Sequence, residues 1–309
     1  LYSRFQNTET MDVKQIAKLT GHKGSIYTIV QGSEPQKILS GAGDGWVIEW
    51  DLTNPEIAKV VAKVETNIFS MVYLKSKNWL AVGNMFGGLH WVDLNKKTDL
   101  KNIAFHEKGI FDIIEIDDHI YTVGGDGKLA KWNIETQEVV ESIQLTNKSL
   151  RSIDYDDLGK RFVIGASDYS IYFLDINLNI KHKIESAHEN SIFTTKFVNK
   201  GTTLFSGSRD AHLKVWDLNE NFKNIKSQPA HLFTINNIAF HPTEPIFATA
   251  SRDKMIKIWD LNNYKLLKVI DVIKFGGHIN SVNKLLWSTF NNLLISVSDD
   301  RTVIVWKIS

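Results

Sequence analysis

Residues 206–218 read SGSRDAHLKVWDL. Small residues lead into a polar turn at Arg209 and Asp210, after which Leu213 and Val215 alternate with Lys214 and Trp216 in the two-residue period of a strand. Related strings stand at six other places: SGAGDGWVIEWDL from Ser40, VGNMFGGLHWVDL from Val82, TVGGDGKLAKWNI from Thr122, IGASDYSIYFLDI from Ile164, TASRDKMIKIWDL from Thr249 and SVSDDRTVIVWKI from Ser296. The position of the closing aspartate is held by Asp51, Asp93, Asn133, Asp175, Asp217, Asp260 and Lys307, at spacings of 42, 40, 42, 42, 43 and 47 residues. A near-constant period of this length makes each string part of one structural unit, present seven times.

Within a unit, short alternating runs separated by turn residues accommodate four strands, and no long 3.6-residue periodicity competes with them. One small four-stranded sheet cannot bury both of its faces, so the units must stack on one another. Seven stacked in a ring cover every face. The expected fold is all-β: a seven-bladed propeller of four-stranded antiparallel blades over residues 13–309, preceded by an N-terminal tail, residues 1–12.

Composition bounds the function. Hydrophobic residues make up 43% and charged residues 23%, the balance of a globular chain with a sizeable core. Thirty-six Lys and Arg against thirty-five Asp and Glu leave a net charge of +1, which removes any global electrostatic argument for nucleic acid or a membrane surface. The absence of cysteine excludes disulfides, thiolate chemistry and Cys-based zinc sites. No apolar run approaches the roughly 20 residues of a membrane span, and residues 1–12 contain no signal-type hydrophobic segment. The expectation is a soluble, cytoplasmic protein without a cofactor or a resident metal.

The repeat resembles the WD-repeat propeller family. Gly21-His22, Phe105-His106, Ala187-His188, Ala230-His231 and Gly277-His278 stand at that family's Gly-His position, and Trp50, Trp132, Trp216, Trp259 and Trp306 at its tryptophan. The seventh unit reads only three strands before Ser309, while Val13–Leu19 (VKQIAKL) reads as a strand without a blade. A three-stranded blade would leave a bare edge at the closure of the ring. The N-terminal strand is therefore expected to pair with the last blade, as the resemblance also implies.

Ser, His and Asp recur together in a way that invites a hydrolase reading. The sets are His22, Ser40, Asp44, Trp50; His106, Thr122, Asp126, Trp132; His188, Ser206, Asp210, Trp216; His231, Thr249, Asp253, Trp259; and His278, Ser296, Asp300, Trp306. The resemblance implies a buried structural tetrad at this spacing, and five copies argue against one active site. The nucleophile elbow G-x-S-x-G is also missing. Units two (Val64, Val82, Phe86, Val92) and four (Thr146, Ile164, Asp168, Leu174) depart from the pattern and are expected to rest on apolar packing, with Asp168 bracing its turn.

The resemblance further implies partner contacts on the narrow face, from two positions in each blade. The residue five after the Gly-His histidine is Tyr27, Phe69, Phe111, Arg151, Phe193, Asn236 and Asn283; the residue before the turn aspartate is Gly43, Met85, Gly125, Ser167, Arg209, Arg252 and Asp299. Aromatic, Met and Arg side chains are the types favoured at interface cores. Phe69, Phe111 and Phe193 are expected to receive an extended segment and Arg151, Arg209 and Arg252 to meet its carboxylates, unless these groups merely fill the funnel between blades. Four extra residues between Trp259 and His278 lengthen a mouth-side connection and make Phe275 a candidate rim contact, or else simply extend a strand.

The expected function is a non-enzymatic interaction scaffold for a protein or peptide partner, monomeric outside its complex. Two competing readings are an enzyme or small-ligand binder with its site in the central mouth, and a subunit of a nucleic-acid-associated complex. The first calls for one asymmetric cluster of perturbed carboxylates or a metal, the second for a continuous basic stripe.

Overall fold

The strand Lys37–Ala42 (KILSGA) is buried along almost its whole length, whereas Ala58–Lys63 (AKVVAK) is mostly exposed. A strand buried on both faces must lie between two layers, and its small residues let those layers approach. In a computed structural model of the chain, which describes residues 11–96 and 98–309, this arrangement recurs seven times as four-stranded antiparallel sheets. The blades comprise residues 26–63, 68–104, 110–144, 150–184, 192–229 and 235–270, with the seventh built from 282–308 and the strand Val13–Thr20. Gly41, Gly83, Gly165 and Gly207 mark the close approach between blades: a Cβ there would lie 2.7–2.8 Å from Ile68, Ile110, Ile192 and Ile235 of the next inner strand. The hydrophobic core is accordingly divided into clusters, several of which span two neighbouring blades.

The ring closes as expected. Val13–Thr20 pairs antiparallel with Thr302–Ile308, from Val13 opposite Ile308 to Thr20 opposite Thr302. Asp12 carries the ladder one step further by exchanging two backbone bonds with Ser309 (2.7 and 3.0 Å), and Met11 packs on the adjoining cluster. The expectation of a tail therefore concerns residues 1–10, which lie outside the described residues.

All five tetrads form. His Nδ1 lies 2.8–3.1 Å from the turn aspartate, His Nε2 2.7–2.8 Å from the Ser or Thr hydroxyl, and the indole N–H donates to that hydroxyl at 2.8–2.9 Å. A carboxylate only accepts, so Nδ1 carries the proton and Nε2 takes the hydroxyl's hydrogen. The hydroxyl's lone pairs remain for the indole. Burial, only partly offset by the aspartate, lowers the affinity of His22, His188 and His231 for a second proton.

Two expectations need correction. Blade two is not simply apolar: Asn84 Oδ1 accepts from the backbone of Phe86 and Gly88 (2.9 Å each) while Asn84 Nδ2 meets His90 Nε2 at 3.0 Å, so an amide two residues earlier braces the turn. Phe86, freed from that role, is 69% exposed. The extra residues before His278 do not form a longer strand. They make one helical turn, Val272–Phe275, capped by Asp271 and ended by Gly276 at φ +68°, with Phe275 half-buried on the core and Ile273 turned outward. In blade four Asp168 does brace its turn, accepting from the Ser170 N–H and the Tyr172 hydroxyl.

Candidate functional site

Every inner strand carries a β-bulge at one place. The register slips between Ile26 and Thr28, Ile68 and Ser70, Ile110 and Asp112, Leu150 and Ser152, Ile192 and Thr194, Ile235 and Asn237, and Val282 and Lys284. The extra residue is Tyr27, Phe69, Phe111, Arg151, Phe193, Asn236 and Asn283 in turn, the whole first set of mouth positions. A bulge leaves one residue out of the ladder and re-aims its side chain. All seven line one cavity of about 680 Å³ at the centre of the ring.

The second set is tied to the first by backbone bonds. The N–H of Gly43, Met85, Gly125, Ser167, Arg209, Arg252 and Asp299 donates to the carbonyl two residues before each bulge, at 2.7–3.0 Å. Met85 is half-buried, Arg209 and Arg252 are exposed, and none of the three is among the residues that line the cavity.

The bulge side chains form a continuous arc. Tyr27 meets Phe69 edge-on at 5.2 Å, Phe69 stacks on Phe111 at 5.6 Å, and the Arg151 guanidinium lies between Phe111 (4.1 Å) and Phe193 (5.0 Å). Such aromatic and cation–π contacts contribute about 0.5–2 kcal/mol each. Arg151 Nε also donates to Ser167 Oγ at 3.1 Å. Burial, then the nearby Arg209 charge, pulls the Arg151 pKa below its ordinary value. Asn236 and Asn283 differ from the rest. Asn236 Nδ2 donates to Ser281 Oγ and the Val282 carbonyl, and Asn283 Nδ2 to the Ile26 carbonyl and Asp299, so both amides clasp neighbouring blades.

Below the arc lie groups that the sequence reading did not single out. Lys284 of blade seven meets Asp112 of blade three at 3.2 Å, a contact between blades as far apart as a ring of seven allows, so it crosses the channel. Lys196 meets Asp154 at 2.7 Å; burial opposes its charge, but Asp154 and Asp112 outweigh that and hold its ammonium above the usual lysine range. Burial pushes the Glu115 carboxyl up. The signal available in the sequence was a charged residue one, three or four places beyond the bulge, where most other blades carry an uncharged residue. Among the described residues, no group of three or more His, Asp or Glu could hold a metal ion, and no helix is long and apolar enough to cross a membrane.

The WD domain, G-beta repeat family matches residues 13–51, 180–217, 222–260 and 270–307. The chain is a WD-repeat β-propeller protein. This WD-repeat chain is 24% identical over 299 residues to guanine nucleotide-binding protein subunit beta-5b of Danio rerio, covering 93% of itself and 74% of that protein. It is 23% identical over 236 residues to serine-threonine kinase receptor-associated protein of Mus musculus, covering 76% of itself and 66% of that protein. The crystal structure of the WD40 β-propeller domain of Doa1 superimposes with a TM-score of 0.85 over 96% of this chain and 97% of that one, at 18% identity, a likeness of fold alone.

Proposed function

We propose that this WD-repeat protein is a non-enzymatic interaction scaffold that holds a segment of a protein partner at the mouth of its channel. The observation that carries this is the arc Tyr27, Phe69, Phe111, Arg151 and Phe193, aimed by bulges at one central cavity and backed by rigid blades. Half-buried aromatics around a concave, pre-formed site supply the anchors on which interfaces depend, each worth about 2 kcal/mol or more on truncation. The relatives are in keeping with this, one being named as a subunit and another as a receptor-associated protein.

The test is affinity purification from the source cells with wild type and the triple variant Phe69→Ala, Phe111→Ala, Phe193→Ala side by side. Partners held by the wild type are expected to fall at least about tenfold with the variant, while its circular dichroism still reports a folded β protein. Equal retention by the two overturns the reading. A cavity of about 680 Å³ also suits a small ligand; mass spectrometry of the denatured protein, looking for a stoichiometric small molecule, separates that second reading from the first.

A further inference from the structure

Resting on the mouth as the binding site, we infer that the segment it takes carries an acidic residue, whose carboxylate is held by Arg151 with Arg209 beside it. Two of the cations around the cavity already have counter-charges. Lys284 has Asp112 and Lys196 has Asp154. Arg151 has no carboxylate within ion-pair distance among the described residues, its one hydrogen bond being from Nε to Ser167, and Arg209 adds a second positive charge rather than a counter-charge. A partly buried guanidinium without a counter-charge is costly, and a carboxylate from a guest both offsets that cost and fits its planar fork.

The neighbours set the rest of the guest. Phe111 and Phe193 hold the guanidinium between their faces, so its plane is fixed before anything binds. Tyr27, Phe69 and Phe111 continue from it as an apolar wall on one side only, which calls for an aliphatic or aromatic residue next to the acid. The Lys284–Asp112 pair crosses the channel one residue beyond the bulges of blades seven and three and lines the same cavity.

Random twelve-residue peptides displayed on phage, selected on the full chain, test this. The same selection is run on Arg151→Gln, on Arg209→Gln, and on the double variant Phe69→Ala, Phe111→Ala. Peptides recovered on the wild type are expected to share Asp or Glu beside an apolar residue. Made synthetically with the acid changed to its amide, such a peptide should bind the wild type about tenfold more weakly, while Arg151→Gln binds both forms alike. Arg209 is exposed, so Arg209→Gln keeps the fold and reports a loss of several-fold even if Arg151→Gln misfolds. Peptides that need Phe69 and Phe111 but carry no acid, or ignore both arginine variants, overturn the acidic segment and leave the mouth reading standing. Peptides recovered equally on the Phe double variant, or no peptide at all, overturn both.

Discussion

The Ser206 hydroxyl serves two partners at once, giving its hydrogen to His188 and accepting one from Trp216. Ser206→Ala strands two buried groups, and the expected loss is about 2–3 kcal/mol, since an unsatisfied buried polar atom costs more than a bond returns. Thr28 is the counter-case. Its hydroxyl is fully buried in an inner strand and has no hydrogen-bond partner among the described residues. Thr28→Val keeps the β-branched shape and removes that group, so stability should hold or rise by about 1 kcal/mol. Urea unfolding of the two variants checks both signs, and a stabilised Ser206→Ala or a strongly destabilised Thr28→Val would contradict this account.

At the scale of the element, the closing strand bears the most. Val13 and Leu19 are buried in two different clusters, and Val13–Thr20 covers the edge of Thr302–Ile308. Deleting residues 13–19 exposes that edge and both apolar faces, with an expected loss of at least about 4 kcal/mol from burial alone and a tendency to associate through the free edge. Calorimetry should show a sharply lowered Tm, and a synthetic peptide of residues 11–20 should restore part of it. An unchanged Tm would rule out closure as a main source of stability. The bulges belong to this scale as well. A sequence reading can place Phe69 five residues after Val64, yet the slip between Ile68 and Ser70 that turns the ring toward the channel depends on pairing with the neighbouring strand. Phe275 shows the reverse: its loop was legible as longer than the others, but Asp271 capping and the left-handed Gly276 turned it into a helical turn that tucks the ring inward.

For the whole molecule, the buried histidines of blades one, five and six set a dependence on pH. Burial lowers the pKa of His22, His188 and His231 from 6.5 in the folded state. Below that value the unfolded chain binds more protons than the native one, so stability is full above about pH 6.5 and falls as the solution is acidified. The turn aspartates Asp44, Asp126, Asp210, Asp253 and Asp300, whose pKa values are also lowered, add a second loss below 3.8. Burial alone would raise these carboxyls, but the histidine and the backbone N–H groups around each outweigh it. Between pH 7 and 5.5 the protein should lose stability through each of the three rings. His188→Gln should lose less over the same interval, and a Tm flat across it in the wild type would contradict the assignment.

The sequence by itself determined the all-β class, the seven units, the five tetrads and the place of the mouth residues, because a fixed period repeats the same local chemistry seven times. It also determined that an extra strand had to close the ring. Only the tertiary structure decided how those residues meet. Whether Arg151 lies between Phe111 and Phe193, whether Asn236 and Asn283 clasp neighbouring blades, and whether Lys284 reaches Asp112 across 172 residues of chain all depend on contacts between different blades. Such contacts leave no trace in the period of any one unit, since they are fixed by the stacking of the ring.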